Sequence, residues 1–431
     1  MCEIAFNIMC KAFGGCHFSE LCLIASLMVF QATGVSTCDH TIGLTVSKAD
    51  GRTNYAAVQP GDTVCLAAGS RNGLVLRNFF GSPDNPITFI NAGGQVVFNS
   101  SASHGILVQN SRFFHLSGSG SEGIHFGLKV TSSTQDGISI GYKSSDFELD
   151  HIEISGVPGV GIAAKTEGTC SDGSTNDYDY DGDGMIHKDP DDAVNRDTFI
   201  QYDTVIHSNY IHDVGTEGFY IGSSLYSRGW ERSCDSGPET VYPPLLRRVH
   251  LFDNIVTDTG WDAIQVGSAT EHCEIYGNRV LRDGQAGLSD QESGIMSNPG
   301  SACHIYNNFI KDGGGPGIYL QGNGGNEVYN NVIVNAGQNK PLGNNSGDGI
   351  TIFTGSNPGN GVRVFDNIIV SPRNFGIKYY NFAGSDNTIQ NNIIVAPGNY
   401  GYGAYGENAY IHTFGLTNVN VFDNLMKPSR E

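Results

Sequence analysis

The chain has 431 residues, of which 58 are glycine, 39% are hydrophobic and only 16% are charged. This composition excludes an intrinsically disordered chain, which would combine low hydrophobicity with high charge, and the absence of a strict glycine period excludes collagen. The 44 acidic and 24 basic residues give a net charge of −20. Such a chain would repel phosphate backbones, so we expect no nucleic-acid partner.

An apolar run of about signal-peptide length lies near the N-terminus. Residues 21–35 read LCLIASLMVFQATGV, and Ser36, Thr37 and Cys38 follow. We expect residues 1–37 to be a secretory leader that is cleaved near Cys38; the alternative is a helical cap on the end of the next domain. No other segment approaches the roughly 18 apolar residues of a membrane span. The sequence therefore predicts a secreted or cell-surface protein without a membrane span.

An even number of cysteines follows the leader, which predicts disulfides in a secreted chain. They are Cys38, Cys65, Cys170, Cys234, Cys273 and Cys303. Zinc is the competing interpretation, but the chain contains no C-x-x-C pair. Cys273 and Cys303 have matching contexts, HCEIYGN and ACHIYNN, and short spacing favours a Cys38–Cys65 bond. Cys170 and Cys234 lie in two insertions that a third disulfide would join.

A short unit recurs from about residue 205 onward. It consists of Asn, three mostly apolar residues, a turn with Gly, and then Gly-Ile-x-apolar. The units begin at Asn209, Asn254, Asn278, Asn308, Asn331, Asn367, Asn392 and Asn424. Repeats of 20 to 50 residues built from short alternating strands indicate a solenoid. We interpret the recurrent Asn as structural, since it tolerates the left-handed conformation at a sharp corner and bonds the same residue of the next rung.

These units resemble right-handed parallel β-helix proteins of the pectate-lyase type, over most of the chain after residue 40. Residues 58–99, which begin VQPGDTV, are similar to the opening of β-helix polysaccharide lyases, where a Pro-Gly-Asp turn precedes the first rungs. The resemblance implies an all-β fold with one β-helix domain over residues 38–431. Insertions interrupt the repeat at about 166–197 and 223–248, and we expect both to emerge on the same side of consecutive rungs.

The first insertion is acidic and reads DYDYDGDGMIHKDPDD at its centre. Asp179, Asp181 and Asp183 alternate and Gly184 follows, as in the first half of an EF-hand-type calcium loop. Alternate carboxylates converge on one ion in such loops, and Gly permits the sharp turn.

Pro190 stands at the loop position where an EF-hand-type loop has Glu, so Asp189 or Asp191 must close the site. We predict calcium as a cofactor, bound by the three alternating aspartates and Asp189. The alternative is a solvated acidic loop without an ion.

One outward position recurs when the repeats are aligned on Gly-Ile-x-apolar. It is occupied by Ala163, Tyr220, Gln265, Met296, Tyr319, Thr351 and Lys378. Lys165 is also outward, and Glu217 and Asp262 occupy the turns into successive strands. We predict a polar and aromatic groove in which Lys165, Glu217 and Asp262 are catalytic. Its sugar-binding residues are expected to be Tyr220, Gln265 and Tyr319.

In the β-helix lyases that this chain resembles, the base is usually Lys or Arg beside calcium. The segment GIAAK, residues 161–165, is similar to the lysine-bearing rung of some of these lyases, although their calcium ligands are spread over several rungs. The resemblance implies calcium-dependent β-elimination on a uronate-containing polysaccharide. Glu217 and Asp262 alternatively form a hydrolytic carboxyl pair. The competing function is non-catalytic: a glycan-binding adhesin, or a filament subunit that self-associates through its ends.

Overall fold

The computed structural model describes residues 37–428, apart from residues 323, 338–346, 355–360, 382–383 and 399–408. The predicted leader therefore lies outside the described residues except for Thr37. In the described part, the chain winds repeatedly through three faces of parallel strands, and Pro190–Asp192 form a short 3-10 turn. This arrangement confirms the predicted all-β parallel β-helix.

Face A begins each turn of the coil. Its strands are His40–Ile42, Thr63–Arg71, Ile87–Asn99, Arg112–Ser117, Ser145–Asp150, Ile200–His207, Leu245–Phe252, Ala269–Tyr276, Cys303–Tyr306, Glu327–Tyr329, Arg363–Phe365, Asn387–Gln390 and Val419–Phe422.

Face B follows after a sharp corner, and the ends of Thr63–Arg71 and Ile87–Asn99 bend into it. Its other strands are Leu128–Ser132, Ile152–Ser155, Tyr210–Val214, Ile255–Thr259, Arg279–Leu281, Phe309–Lys311, Val332–Val334, Ile368–Val370, Ile393–Val395 and Leu425–Lys427.

Face C is a separate sheet and closes the coil. Its strands are Lys48–Asp50, Leu74–Arg77, His104–Gln109, Asp136–Gly141, Ile162–Ala164, Phe219–Ile221, Ile264–Val266, Ile295–Ser297, Ile318–Leu320, Ile350–Thr354, Ile377–Asn381 and Ile411–His412. An antiparallel hairpin, Trp230–Cys234 with Gly237–Val241, lies outside the coil in the second insertion.

The core forms because apolar residues stack in register from rung to rung. On face C, Ile162 pairs with Phe219 and Phe219 pairs with Ile264, and all three are fully buried. Alternation along each strand sends these side chains inward and their neighbours outward. The Gly of the Gly-Ile motif is required by close packing, since a Cβ on Gly161 would lie 2.5 Å from Ile211 Cγ2 and 2.6 Å from the carbonyl oxygen of Gly218.

The predicted asparagine ladder is present at the corner between faces A and B. Asn308 accepts a bond from Asn278 Nδ2 at 3.0 Å and donates from its own Nδ2 to Asn331 Oδ1 at 3.0 Å. The same bond links the ladder from Asn209 to Asn424. We expected the left-handed backbone conformation at the ladder Asn itself, which is one residue too late in the chain. It falls on the residue before each ladder Asn, for example Asn307 at φ 55°, because the chain turns before the amide enters the interior.

Three disulfides join the cysteines in the expected pairs. The Cα–Cα distances are 5.6 Å for Cys38–Cys65, 5.8 Å for Cys170–Cys234 and 4.4 Å for Cys273–Cys303. The last pair lies directly in register on adjacent strands of face A.

The described residues include no helix that is both long enough and apolar enough to cross a membrane.

Candidate active-site cleft

A cleft of about 420 Å³ lies between face C and the two insertions. Its floor comes from the strands His104–Gln109, Asp136–Gly141 and Ile162–Ala164, and its wall from the insertions. The polar side chains that line it include His104, Asp136, Tyr142, Lys165, Glu167, Asp177, Tyr180 and Arg232. We call it the Lys165 cleft.

Lys165 follows the last residue of its strand and extends across the neighbouring rung. Its Nζ lies 4.5 Å from the centre of the Tyr220 ring and 3.5 Å from Glu167 Oε1. The side chain remains 29% exposed, so a ligand in the cleft can reach the amine. Burial raises the pKa of Glu217, and the charge of nearby Lys165 counteracts part of this rise. The structure places Lys165 against Tyr220, whereas Glu217 is 3% exposed and does not line the Lys165 cleft, so it is too buried to contact a substrate in this structure.

The two insertions pack on one another, as expected from their places in the repeat. The Cys170–Cys234 disulfide joins them, and Ser171 Oγ donates to Glu239 Oε2 at 2.9 Å. Arg232 of the hairpin donates to the carbonyl oxygen of Gly168 at 3.1 Å. Its Nε is buried and makes no hydrogen bond to a described residue. The rest of the guanidinium lies at the wall of the Lys165 cleft, where the Arg232 side chain is 32% exposed and its Nη2 lies 3.7 Å from Glu167 Oε2.

His104 and Asp136 are the first residues of two strands in the cleft floor, whereas Lys165 follows the end of the third, and sequence reasoning missed both as site residues. They are in register on adjacent strands of face C. Burial lowers the pKa of His104, so its imidazole is neutral near pH 7, and Nδ1 makes no hydrogen bond to a described residue. The signal was available, since both residues immediately precede a Gly-Ile strand, the position that Glu217 and Asp262 occupy relative to theirs.

The predicted outward ladder is confirmed in register from Ala163 to Lys378. The predicted polar and aromatic groove does not run along the whole ladder, because the middle of the ladder is covered. Gln265 and Met296 are 2% and 1% exposed, and Asp262 is completely buried. The backbone N–H of Ser293 donates to Asp262 Oδ1 at 2.5 Å, so the loop before the next strand closes over this carboxyl.

Burial also changes the chemistry of Asp262. It raises the pKa of this carboxyl well above its usual range, with a further contribution from Glu217. Asp262 therefore cannot contact a substrate in this structure, and its predicted catalytic role is wrong. Gln265 is covered in the same way, so its predicted sugar-binding role is wrong as well.

A second cleft, of about 470 Å³, opens farther along face C and is mainly aromatic. Tyr319, the third predicted sugar-binding residue, lines this cleft rather than the first, together with Lys378, Phe353, Tyr380 and Phe414. Phe353 and Tyr380 stack with centroids 5.7 Å apart, and Phe414 is 46% exposed. Lys378 Nζ lies 3.9 Å from buried Asp348. We call this the aromatic cleft.

The acidic insertion contains two groups of carboxylates that could hold a cation. The ligand atoms of Asp179, Asp181 and Asp183 lie within 4.8 Å of one another, and so do those of Asp181, Asp189 and Asp192. The first group is the predicted one. Asp189 is 5% exposed, and its Oδ2 makes no hydrogen bond to a described residue.

The loop carries these aspartates away from Lys165. Arg52 of the N-terminal rungs donates to the carbonyl oxygens of Asp179 at 3.2 Å and Tyr180 at 2.5 Å, which holds the loop over those rungs. The acidic insertion lines the Lys165 cleft with several residues, among them Glu167, Asp177 and Tyr180, but with none of the predicted calcium ligands. The resemblance implied a calcium ion beside Lys165. The loop instead holds its carboxylate groups outside the Lys165 cleft.

Comparisons with known proteins agree on the fold. A family model for the right-handed β-helix region matches residues 247–394. No curated protein sequence matches the chain.

Two crystal structures of a GH136 lacto-N-biosidase from Eubacterium ramulus are 12% identical to this chain. The selenomethionine form has a TM-score of 0.57 over 90% of this chain and 67% of that one. The native form has a TM-score of 0.51 over 90% and 68%. An alginate lyase from Paenibacillus sp. str. FPU-7 is 13% identical, with a TM-score of 0.39 over 91% of this chain and 98% of that one. At such identities the lacto-N-biosidase similarity establishes a right-handed parallel β-helix.

Proposed function

We propose that this right-handed parallel β-helix protein is a secreted polysaccharide lyase that cleaves a uronate-containing glycan by β-elimination in the Lys165 cleft. One observation carries the proposal: Lys165 and Arg232 bring two cations, both within 3.7 Å of Glu167, to a single cleft that is walled by two insertions joined by a disulfide. The lacto-N-biosidase that shares the fold is named for a carbohydrate, which supports the substrate class.

The reaction requires three functions around one sugar ring, a cation, a base and an acid, and two side chains can supply them. A cation must neutralise the uronate carboxylate so that the adjacent C–H becomes acidic, and the guanidinium of Arg232, whose side chain is 32% exposed at the cleft wall, suits this contact. A base must then accept that proton, and we assign this role to the deprotonated amine of Lys165. The C–H electron pair forms the new C=C bond as the glycosidic C–O bond breaks. Lys165 can return the proton to the leaving oxygen on the same side of the ring.

His104 is the alternative proton acceptor in the same cleft. Its imidazole is neutral near pH 7 because burial lowers its pKa, and neutral His accepts a proton without prior loss of one. The experiment below separates the two residues.

Calcium fits the acidic loop as a structural cofactor. Its ligands would be oxygens alone, which is the donor type calcium prefers, and buried Asp189 Oδ2 is left without a partner among the described residues. Asp181, Asp189 and Asp192 would hold the ion, with Asp179 and Asp183 at the exposed side of the loop. When bound, the ion would neutralise the loop and fix it as the wall of the Lys165 cleft.

Secretion is part of the proposal. Three disulfides close the N-terminal rung, the two insertions and two central rungs. Such bonds persist in oxidising compartments and are rare in the cytosol. Fractionation of cells that make the full-length chain should find the protein outside the cytoplasm.

A second candidate function is self-assembly through the C-terminal end of the coil. Val421, Phe422, Leu425 and Met426, on the last described strands, are 41–46% exposed. Apolar residues in this number favour burial against another surface. Sedimentation of the wild type and of Leu425→Glu tests this candidate, since assembly through these residues predicts that only the wild type forms larger species.

The lyase proposal is tested by incubating the protein with a panel of uronate polymers and following the ultraviolet absorbance of the unsaturated product. Lys165→Gln should abolish product formation. Lys129→Gln is the matched control, because Lys129 lies on face B at 30% exposure and pairs with Glu153 at 2.7 Å. If His104→Ala abolishes the reaction and Lys165→Gln does not, the base is His104. If the wild type yields no unsaturated product on any polymer, the lyase proposal fails.

A further inference from the structure

A cluster of histidines and carboxylates lies on face A, outside both clefts. It spans three consecutive strands, Arg112–Ser117, Ser145–Asp150 and Ile200–His207. His115 is in register with Glu148, and Asp150 is in register with His207. Phe147 and Leu149 point into the core, so alternation places Glu148 and Asp150 side by side on the outer surface.

Three donor atoms converge at this point, and a fourth, on His207, lies beside them. His115 Nε2 hydrogen-bonds Asp150 Oδ2, and His207 Nε2 lies 2.8 Å from Glu148 Oε1 and 3.9 Å from Asp150 Oδ2. The ligand atoms of His115, Glu148 and Asp150 all lie within 4.8 Å of one another. Tetrahedral bonds of about 2.0–2.1 Å place zinc ligands roughly 3.4 Å apart, so small side-chain rotations would suffice to admit an ion.

Neighbouring groups hold two of these side chains in the orientation that a metal requires. Ser117 Oγ donates to Asp150 Oδ1 at 2.6 Å, and His151 Nδ1 lies 2.5 Å from the same oxygen, which leaves Oδ2 directed at the two histidines. His207 Nδ1 lies 3.1 Å from Ser208 Oγ, and its ring stacks on Phe252 at 4.5 Å. Metal-binding His and carboxylate groups are typically fixed by such outer hydrogen bonds.

We propose that His115, Glu148, Asp150 and His207 bind a divalent transition metal of the Zn²⁺ type. Two imidazoles with two carboxylates form a donor set that favours zinc over calcium, which takes oxygen ligands alone. The site is open to solvent, since the Glu148 side chain is 43% exposed, while Asp150 at 5% anchors it to the sheet. A bound ion would link three successive rungs on face A, whereas the Lys165 cleft lies on face C.

The same residues without a metal would form a network of ion pairs, and a metal titration separates the two cases. Full-length protein is treated with EDTA, dialysed, saturated with Ca²⁺ to occupy the acidic loop, and titrated with ZnCl₂ by calorimetry. CoCl₂ provides a second probe, because tetrahedral Co²⁺ has visible absorption bands. We expect one equivalent to bind, with those bands. His115→Gln and His207→Gln should each weaken binding at least tenfold.

His250→Gln is the matched control. His250 lies on the next strand of face A and pairs with Glu274 at 3.4 Å, so its loss should leave zinc binding unchanged. The glutamine variants retain a hydrogen-bonding side chain, and their circular dichroism spectra without metal should match the wild type. The proposal is overturned if the wild type binds no Zn²⁺ under these conditions. It is equally overturned if both glutamine variants bind Zn²⁺ as the wild type does.

Discussion

Asp283 is a buried carboxyl whose protonation is controlled by the residues packed around it. It lies in the turn before the Ile295–Ser297 strand of face C and is 1% exposed. A Cβ on Gly313 would lie 2.5 Å from both of its carboxyl oxygens, so the next rung closes over it. Burial raises the pKa of Asp283 to about 8, which means that the folded protein keeps this carboxyl protonated near neutral pH.

Asp283 should make stability fall as pH rises. The unfolded chain releases this proton near its usual pKa of 3.8, whereas the folded chain retains it up to about 8. Between these values the folded state binds the extra proton, so the free energy of unfolding should decrease by on the order of 1.4 kcal/mol per pH unit. Thermal unfolding from pH 4 to pH 8 measures this slope. Asp283→Asn should reduce it, and an unchanged slope would show that Asp283 does not carry the effect.

Arg232 should act mainly on the substrate rather than on the fold. Arg232→Gln removes the cation that we place against the uronate carboxylate, so we expect kcat/KM to fall by tenfold or more, beyond the modest fall in melting temperature expected from loss of the bond to Gly168. Arg248→Gln is the control, because Arg248 forms an exposed pair with Asp203 at 2.5 Å on face A. Equal kinetic losses in both variants would contradict the assignment.

At the scale of single elements, the ladder at the corner of faces A and B stabilises the coil through one repeated interaction. Asn308 is 1% exposed and bonds to the rungs on both sides, whereas Asn424 forms the last described step. Asn308→Ala leaves buried donors and acceptors without partners and should cost about 1–3 kcal/mol. Asn424→Ala should cost less, because that step is partly exposed. The melting temperatures of the two variants test this order. A larger fall in melting temperature for Asn424→Ala than for Asn308→Ala would contradict it.

The acidic insertion should respond to calcium through Asp189. Calcium should raise the melting temperature and slow proteolysis of residues 166–197, because an ion that binds only the folded loop stabilises it by mass action. Asp189→Asn should abolish both responses. Asp197→Asn removes an exposed carboxylate of the same insertion that belongs to neither carboxylate group, and it should retain them. A calcium response that survives in Asp189→Asn would place the ion elsewhere.

Periodic elements were predictable from the sequence because each rung repeats the same local requirement. The Gly-Ile motif predicted the face C strands, since only Gly fits beneath the next rung, as Gly161 shows. The Asn spacing predicted the ladder, and matched contexts predicted Cys273–Cys303.

The candidate site was only partly predictable, because its walls are not periodic. The course of the acidic loop depends on contacts such as Arg52 with Asp179, which are 127 residues apart in the chain. No local pattern indicates that Asp262 is covered by the loop that carries Ser293, or that Arg232 returns to Gly168. Lys165 and Tyr220 were found because they lie on the repeat itself.

At the scale of the whole molecule, face C carries two clefts at different heights of the coil. Six strand steps separate the strand of Lys165 from that of Lys378, which is roughly 29 Å at about 4.8 Å per step. A single sugar cannot contact both clefts, whereas a polymer can. Phe414→Ala should therefore weaken binding of long uronate chains several-fold while short oligomers are unaffected. Equal losses for both lengths, measured by calorimetry on Lys165→Gln to prevent turnover, would contradict a spanning polymer.

The central claim is that the Lys165 cleft performs β-elimination. The most direct measurement is the ultraviolet absorbance of unsaturated product from the uronate-polymer panel, with the wild type, Lys165→Gln and Lys129→Gln assayed side by side. We predict product from the wild type and from Lys129→Gln on at least one polymer, and none from Lys165→Gln. Absence of unsaturated product from the wild type on every polymer, or undiminished product from Lys165→Gln, would contradict the claim.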